Sequence, residues 1–457
     1  VMWVAAGLSA LLLLCRRRLL TGPRAAARVT VAAVLVAGFA ASMAQTIVVV
    51  ALPEIAREFG VAGTTAPWAL TAFMLAAAVA TPVAGRLGDL FGYRRIALAC
   101  LGCLVAGTLV CALAPSFALL LAGRALAGLS AGVLPLAFGL LRRAAPAGRL
   151  PGLVGLLSAM FGIGGAAGMV TAGPLLTSAG PSALFWPLLA LGIVALVLVA
   201  LLPSDEAAAG GRVDVAGAVL LGGALAGLLL AVGRARDWGA VAAAGLLTLT
   251  VALFAAFAVV ERRAPAPLVD LRLLARPAAA VPNVVTVVIG ASMFGVVTLL
   301  PHLVTVERIA VVLLPMVAAM LVATPLAPWL GGRRALRAGT VLGAVSAGVL
   351  ALAHDELWQL CLVAPVLGAG YGLAFAALGT LVVDAAEPRH TGVATAVNTI
   401  ARTAGGAIGA QLAAVLVAGG GFGPAFAAFG VVAAVALAVT VALPRPVAEP
   451  ALSRSGR

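Results

Sequence analysis

Between two long apolar runs, residues 85–95 read GRLGDLFGYRR, which sets one carboxylate, Asp89, among Arg86, Arg94 and Arg95, with glycines at 85, 88 and 92. Glycines so spaced permit a tight turn, and a lone acid among cations is suited to making and breaking ion pairs. Other candidates are sparse. Arg124 and Arg402 lie inside apolar stretches, Glu54, Asp384 and His302 sit at the ends of such stretches, and Gln45, Thr46, Asn283, Asn398 and Gln411 are the other deep polar side chains. An unpaired arginine at bilayer depth costs on the order of 2.5–3.5 kcal/mol, so each is expected to face either backbone carbonyls or a polar cavity shared with those amides and hydroxyls. An intramembrane enzyme would need His, Asp, Glu or Cys gathered at one depth, and no such cluster is visible. Cys15, Cys100, Cys103, Cys111 and Cys361 fall in apolar sequence and read as helix filler; no metal, cofactor or disulfide framework is implied.

The elements that must position these residues are membrane helices. The chain is 63% hydrophobic and 10% charged, with a mean hydropathy of +1.19, values that exclude a soluble globule. A net charge of +14 would point to nucleic acid in a soluble protein, but all 29 basic residues are arginine and most lie in short loops, so the charge reads as topology. Without any lysine the chain has no Gly-x-x-x-x-Gly-Lys phosphate loop, which excludes ATP-driven transport by this chain alone.

At about 20 residues per crossing, fourteen spans are expected: 29–52, 66–88, 95–114, 117–141, 150–177, 182–203, 213–233, 240–260, 281–304, 309–330, 335–354, 358–384, 391–418 and 421–443. Long, continuous Ala/Leu/Gly-rich runs favour helices over the short alternating strands of a barrel. Val1–Cys15 is apolar but reaches only about 21 Å at ~1.5 Å per residue, short of a roughly 30 Å core. It reads as a signal-anchor-like helix, an interfacial segment or the remnant of a misplaced start. With residue 28 inside, the inner loops and flanks hold 23 arginines and the outer ones only Arg57, Arg234, Arg236 and Arg308. The positive-inside rule therefore predicts that both flanks of the fourteen-helix core are cytoplasmic.

The sequence repeats itself. GGAAG at 164–168 recurs as GGAIG at 405–409, Gly128/Gly132 as Gly368/Gly372, and TPVAGRLG from Thr81 as TPLAPWLGG from Thr324. Such echoes predict two six-helix bundles plus two inserted helices in an all-α polytopic membrane protein. The expected division is an N-terminal apolar segment and basic flank (1–28), a first bundle (29–203), the inserted pair and linker (204–280), a second bundle (281–443) and a cytoplasmic tail (444–457).

GRLGDLFGYRR resembles the loop between the second and third helices of the major facilitator superfamily, G-x-L-x-D-x-x-G-x-R-R. TIVVVALPEI, the Trp68 segment with LTAF, and PLVDLRLL are similar to patterns of its fourteen-span drug:proton antiporter branch, and Arg124 in LAGRALAGLSAG is similar to the family's fourth-helix R-x-x-x-G pattern. The resemblance implies export of a drug or metabolite by proton antiport with alternating access, as in multidrug efflux and antibiotic resistance. It assigns Gly85, Asp89, Gly92, Arg94 and Arg95 to a gating loop and Arg124 to proton coupling. Partners would be the small-molecule substrate, protons and the lipid bilayer of the cell membrane, with no nucleic acid and no ATP. Two departures stand out. SAMFGIGGAAGMVTAGP differs in spacing from the antiporter signature G-x-x-x-G-P-x-x-G-G, and Ala44 and Val49 stand where the branch usually has aspartate and asparagine.

No Asp or Glu lies deep in any span, so a proton carrier must come from Asp89, Asp384, Glu54 or His302, beside the arginine at 124. Gln45, Thr46, Asn283, Asn398, Arg402 and Gln411 are the expected cavity residues. A cavity with two cations and no deep carboxylate would favour neutral or anionic amphipathic cargo. The alternatives are an uncoupled facilitator or a transport-dead sensor on the same scaffold.

Overall fold

The computed structural model describes residues 23–144, 150–203, 214–264, 277–384 and 391–441, and every regular element among them is helical. The first half holds α1 (Pro23–Thr46), the short α2 (Leu52–Glu58), α3 (Trp68–Phe91) and α4 (Tyr93–Ala112). It continues with α5 (Phe117–Gly128), which runs through a tighter turn into α6 (Val133–Ala144), then α7 (Leu150–Ala179) and α8 (Phe185–Leu201). After α9 (Val215–Arg263) come α10 (Pro277–Leu299), α11 (Val306–Ala323), the single turn α12 (Ala327–Leu330), α13 (Gly332–Leu352), α14 (Leu357–Asp384), α15 (Thr391–Gly420) and α16 (Phe422–Val441). Lipid offers no partner for backbone N–H and C=O groups, and a helix satisfies them within itself. Val241, Trp329 and Leu352 leave large apolar side chains about nine-tenths exposed, as a lipid-facing surface requires.

Twelve stretches among the described residues are long and apolar enough to cross a membrane, against fourteen expected. Expected span 150–177 falls on α7, one continuous helix of 30 residues. Expected span 213–233 falls on the first arm of α9, where the described apolar stretch is the shorter Ala216–Leu228. The expected N-terminal segment at 1–15 and the C-terminal tail lie outside the described residues.

The sequence echoes are packing echoes. A Cβ added to Gly164 of α7 would stand 2.4 Å from the Phe39 carbonyl oxygen of α1, and one added to Gly405 of α15 would stand 2.2 Å from the Val287 carbonyl oxygen of α10. The Gly128 position meets the Phe73 oxygen of α3 at 2.4 Å, and the Gly368 position meets the Met316 oxygen of α11 at 1.9 Å. In both halves the absent side chain is what lets two helix backbones touch. The turns repeat as well: Gly92 (φ 96°, ψ 134°) precedes α4 and Gly331 (φ 78°, ψ 135°) precedes α13, in a conformation that favours glycine.

Within the first half α1 packs on α7 and α8, and α5 on α3 and α4; within the second, α10 packs on α15 and α16, and α14 on α11 and α13. The halves meet chiefly along two seams, α3 with α15 and α7 with α11. Helix α9 breaks at Gly239 (φ 79°, ψ 164°) and folds back on itself, bringing Gly227 against Thr250 and Gly223 against Leu253. This hairpin lies over the α3–α15 seam, with Leu221, Leu225 and Phe257 clustered on Ala78.

Candidate functional site

Arg124 is fully buried in α5, and its location explains how a guanidinium survives there. Its Nε donates to the carbonyl oxygen of Ala69 in α3 at 2.8 Å, its Nη1 to that of Ala44 in α1 at 2.7 Å, and its plane lies 4.6 Å from the centroid of the Phe73 ring. Nη2 is buried without a hydrogen-bond partner. The arginine thus ties three helices of the first half through backbone carbonyls and an aromatic face. Of the two environments expected for it, the structure has the backbone one.

In the second half, Asn398 of α15 donates from Nδ2 to Thr286 Oγ1 at 2.7 Å and to Asn283 Oδ1 at 3.2 Å, both on α10. Arg402 follows one turn later, on the same face at i+4. Its guanidinium lies 5.7 Å from the Phe375 ring of α14, and the side chain is half-buried. No hydrogen bond or ion pair reaches it from the described residues. Gly290 of α10 admits the Arg402 backbone, since a Cβ there would sit 2.8 Å from the Arg402 carbonyl oxygen.

Between the halves, Gln411 of α15 is fully buried and donates from Nε2 to Thr71 Oγ1 of α3 at 2.8 Å, while its Oε1 has no partner. The contact crosses the α3–α15 seam toward the end of the molecule that carries Gly180 and Gly421. Beside it, Met74, Ala78, Leu225, Ala404, Ala407 and Ile408 line a small apolar gap under the hairpin.

At the opposite end, in the Gly85–Arg95 segment, Asp89 accepts a 2.5 Å hydrogen bond from the Tyr93 hydroxyl, and the Arg143 guanidinium stacks 4.8 Å from the Tyr93 ring. Gly88 and Gly139 leave room for that ring, since a Cβ on either would stand within 3 Å of it. Arg94 donates from Nη2 to the Ala200 carbonyl oxygen at 2.6 Å, satisfying the end of α8, and Arg95 is exposed. Gly85 rests against Pro135 and Gly92 makes the turn.

The expected cavity residues do not form one group. Asn283, Asn398 and Arg402 gather on the α10–α15 face; Thr46 instead donates from Oγ1 to the Gly165 carbonyl oxygen at 2.7 Å inside the α1–α7 contact, and Gln411 belongs to the seam. Gln45 is half-buried in α1. Among the proton-carrier candidates, Glu54 is paired with Arg57 at the molecular surface, and His302 Nδ1 lies 3.1 Å from the Thr298 carbonyl oxygen with its ring against Phe422. Asp384 closes α14, and its side chain lies outside the described residues. Among the described acids Glu261, at the end of the hairpin, is the buried one, a residue to which sequence position alone draws no attention. Thr71, Phe73, Thr286 and Phe375 were also unmarked. Tyr93 was visible inside the glycine-spaced segment without a role.

The sequence model of the Major Facilitator Superfamily matches residues 34–332 and 308–457. The chain belongs to the major facilitator superfamily. This is a family of transporters, not of enzymes, acting on small molecules in membranes. This chain is 32% identical over 390 residues to an uncharacterized MFS-type transporter of Mycobacterium tuberculosis, covering 81% of this chain but only 56% of that relative's length. It is 28% identical over 391 residues to the multidrug resistance protein B homolog of the same species, covering 81% of this chain and 72% of the relative. It is 30% identical over 413 residues to the tetracenomycin C resistance and export protein of Streptomyces glaucescens, covering 85% and 76%. Its fold matches the crystal structure of the human organic anion transporter MFSD10 with a TM-score of 0.64 at 17% identity, over 91% of this chain and 99% of that one.

Proposed function

We propose that this transporter exports hydrophobic or amphipathic small molecules by alternating access, with proton entry as the driving force. The observation that carries this reading is the construction of the contact between halves: two seams of helix on helix, with the hydrogen bond from Gln411 to Thr71 crossing one of them near its end. Rigid halves joined in this way can rock about a central site by exchanging one end's contacts for the other's. The relatives named for multidrug resistance and for tetracenomycin C export support the direction and the cargo class. In this reading 29–203 and 281–443 are the moving bundles, 204–280 is the inserted pair that completes fourteen spans in the cell membrane, and both flanks are cytoplasmic. Asp89 with Tyr93 and Arg143 forms the inner gate, and Asp89, Asp384 or His302 carries the proton.

A second reading, an uncoupled facilitator, is favoured by one specific contact. Arg124 meets the carbonyl of Ala44 where an acidic side chain would offer it a titratable partner. Purified protein reconstituted in vesicles, loaded with a pH-sensitive dye and given tetracenomycin C or ethidium, separates the two. Acidification or alkalinisation coupled to flux supports the antiporter, and flux with no pH change supports the facilitator. Absence of flux across a broad panel would sink both.

A further inference from the structure

We infer that Arg402, with Asn398 and Phe375, forms an anion-recognising pole that binds aromatic or amphipathic carboxylates and sulfonates; this deepens the export reading and rests on it for its biological use. Arg402 lies eleven residues into α15, about 16 Å from the helix start at ~1.5 Å per residue. It is half-buried, with no hydrogen bond or ion pair from the described residues. The two helices that meet Arg402 directly, α10 through Gly290 and α14 through Phe375, together with its own α15 contain one acid, Asp384, while α3 and α9, which also pack on α15, carry Asp89, Asp237 and Glu261. Asp384 lies nine positions beyond Phe375 along α14, about 13 Å away at ~1.5 Å per residue.

The contrast with Arg124 is what gives the site its meaning. Arg124 spends its donors on two carbonyls, whereas Arg402 keeps a planar fork of N–H groups without an acceptor among the described residues, matched in shape to a carboxylate or sulfonate. Phe375 supplies a ring face beside the cation, against which an aromatic ligand can lie. Asn398, one turn away, already donates to Asn283 and Thr286 and so holds a fixed polar wall on the α10 side. A ligand bearing a ring and an anionic group satisfies all three; a cation would meet Arg402 as a like charge.

The test measures binding of 2-naphthoate and its neutral analogue 2-naphthamide to the full chain in nanodiscs, with empty nanodiscs subtracted. The expected result is that Arg402→Gln weakens naphthoate at least about tenfold, the scale of a lost charge-assisted hydrogen bond, and leaves naphthamide unchanged, while Arg402→Lys, which keeps the charge but not the planar fork, weakens naphthoate by less than Arg402→Gln does. Unchanged naphthamide binding by Arg402→Gln controls for misfolding of that variant. Absence of naphthoate binding to the wild type, equal loss of naphthoate and naphthamide, or displacement by chloride as effective as by naphthoate would overturn the site. Binding needs no flux, so wild-type protein that binds naphthoate through Arg402 yet exports nothing would sink the transport reading alone. Export with binding indifferent to Arg402 would sink this inference alone.

Discussion

The guanidinium of Arg124 reaches the backbone carbonyl oxygen of Ala44 at 2.7 Å across the α1–α5 interface, and the methyl side chain of Ala44 offers it nothing further. The first half is therefore held by a cation whose acceptors cannot titrate, and one of its nitrogens is left over. Two functions of a deep arginine, structural tie and ligand cradle, are divided here between Arg124 and Arg402.

Arg124→Lys is expected to destabilise the protein by about 1–3 kcal/mol, because an ammonium cannot serve the Ala44 and Ala69 carbonyls and the Phe73 face together. Arg402→Lys should shift stability by less than about 1 kcal/mol, since it gives up no hydrogen bond. Denaturation in matched detergent measures both; equal effects would contradict the division of roles.

Ala44→Asp should place an acid beside the unpartnered Nη2 of Arg124. Transport by this variant is expected to gain a dependence on pH that the wild type lacks at that site, read as flux against external pH in vesicles. An unaltered profile would show that proton coupling does not pass through α1.

Gln411→Leu and Thr71→Val remove the polar link across the α3–α15 seam. A double-mutant cycle should give a coupling of about 0.5–1.5 kcal/mol, and either variant should increase labelling of cysteines placed near Thr71. Labelling that stays at the wild-type rate would mean that this bond does not hold the seam closed.

Asp89→Asn is expected to slow transport without affecting membrane insertion, and Tyr93→Phe should reproduce most of that effect, because the tyrosine hydroxyl donates to Asp89. If Tyr93→Phe leaves flux intact while Asp89→Asn abolishes it, the acid works through another partner in the transport cycle.

Gly164→Ala and Gly405→Ala should each cost about 1–3 kcal/mol, whereas Gly348→Ala, which has open space around it, should be neutral or slightly stabilising. Equivalent penalties at 164 and 405 would give an energetic measure of the duplication.

Much of the scaffold was legible because its determinants are local or periodic. Apolar run length set the helices, and the glycines at 128, 164, 368 and 405 stood out as repeats, which the structure shows to be places where backbones meet. The polar residues were less legible. Sequence gives the depth of Thr46, Gln411 and Asn398 along their helices but not the direction each faces, which is set by rotation about the axis and by what the neighbouring helix presents. Thr46 consequently lies in a helix contact and Gln411 in a seam, although both were expected beside Asn398. Thr71 and Phe375 went unmarked for the same reason: an ordinary threonine and phenylalanine acquire a role only when a buried amide or guanidinium arrives from a distant segment.

The hairpin built from α9 covers one of the two joints between the halves and, in Leu221, Leu225 and Phe257, meets it with apolar side chains. Dispersion has no preferred azimuth and is recovered as soon as surfaces touch again. The hairpin is thus suited to act as a greased bearing, under which α3 and α15 can swivel while lipid tails stay out of the crevice.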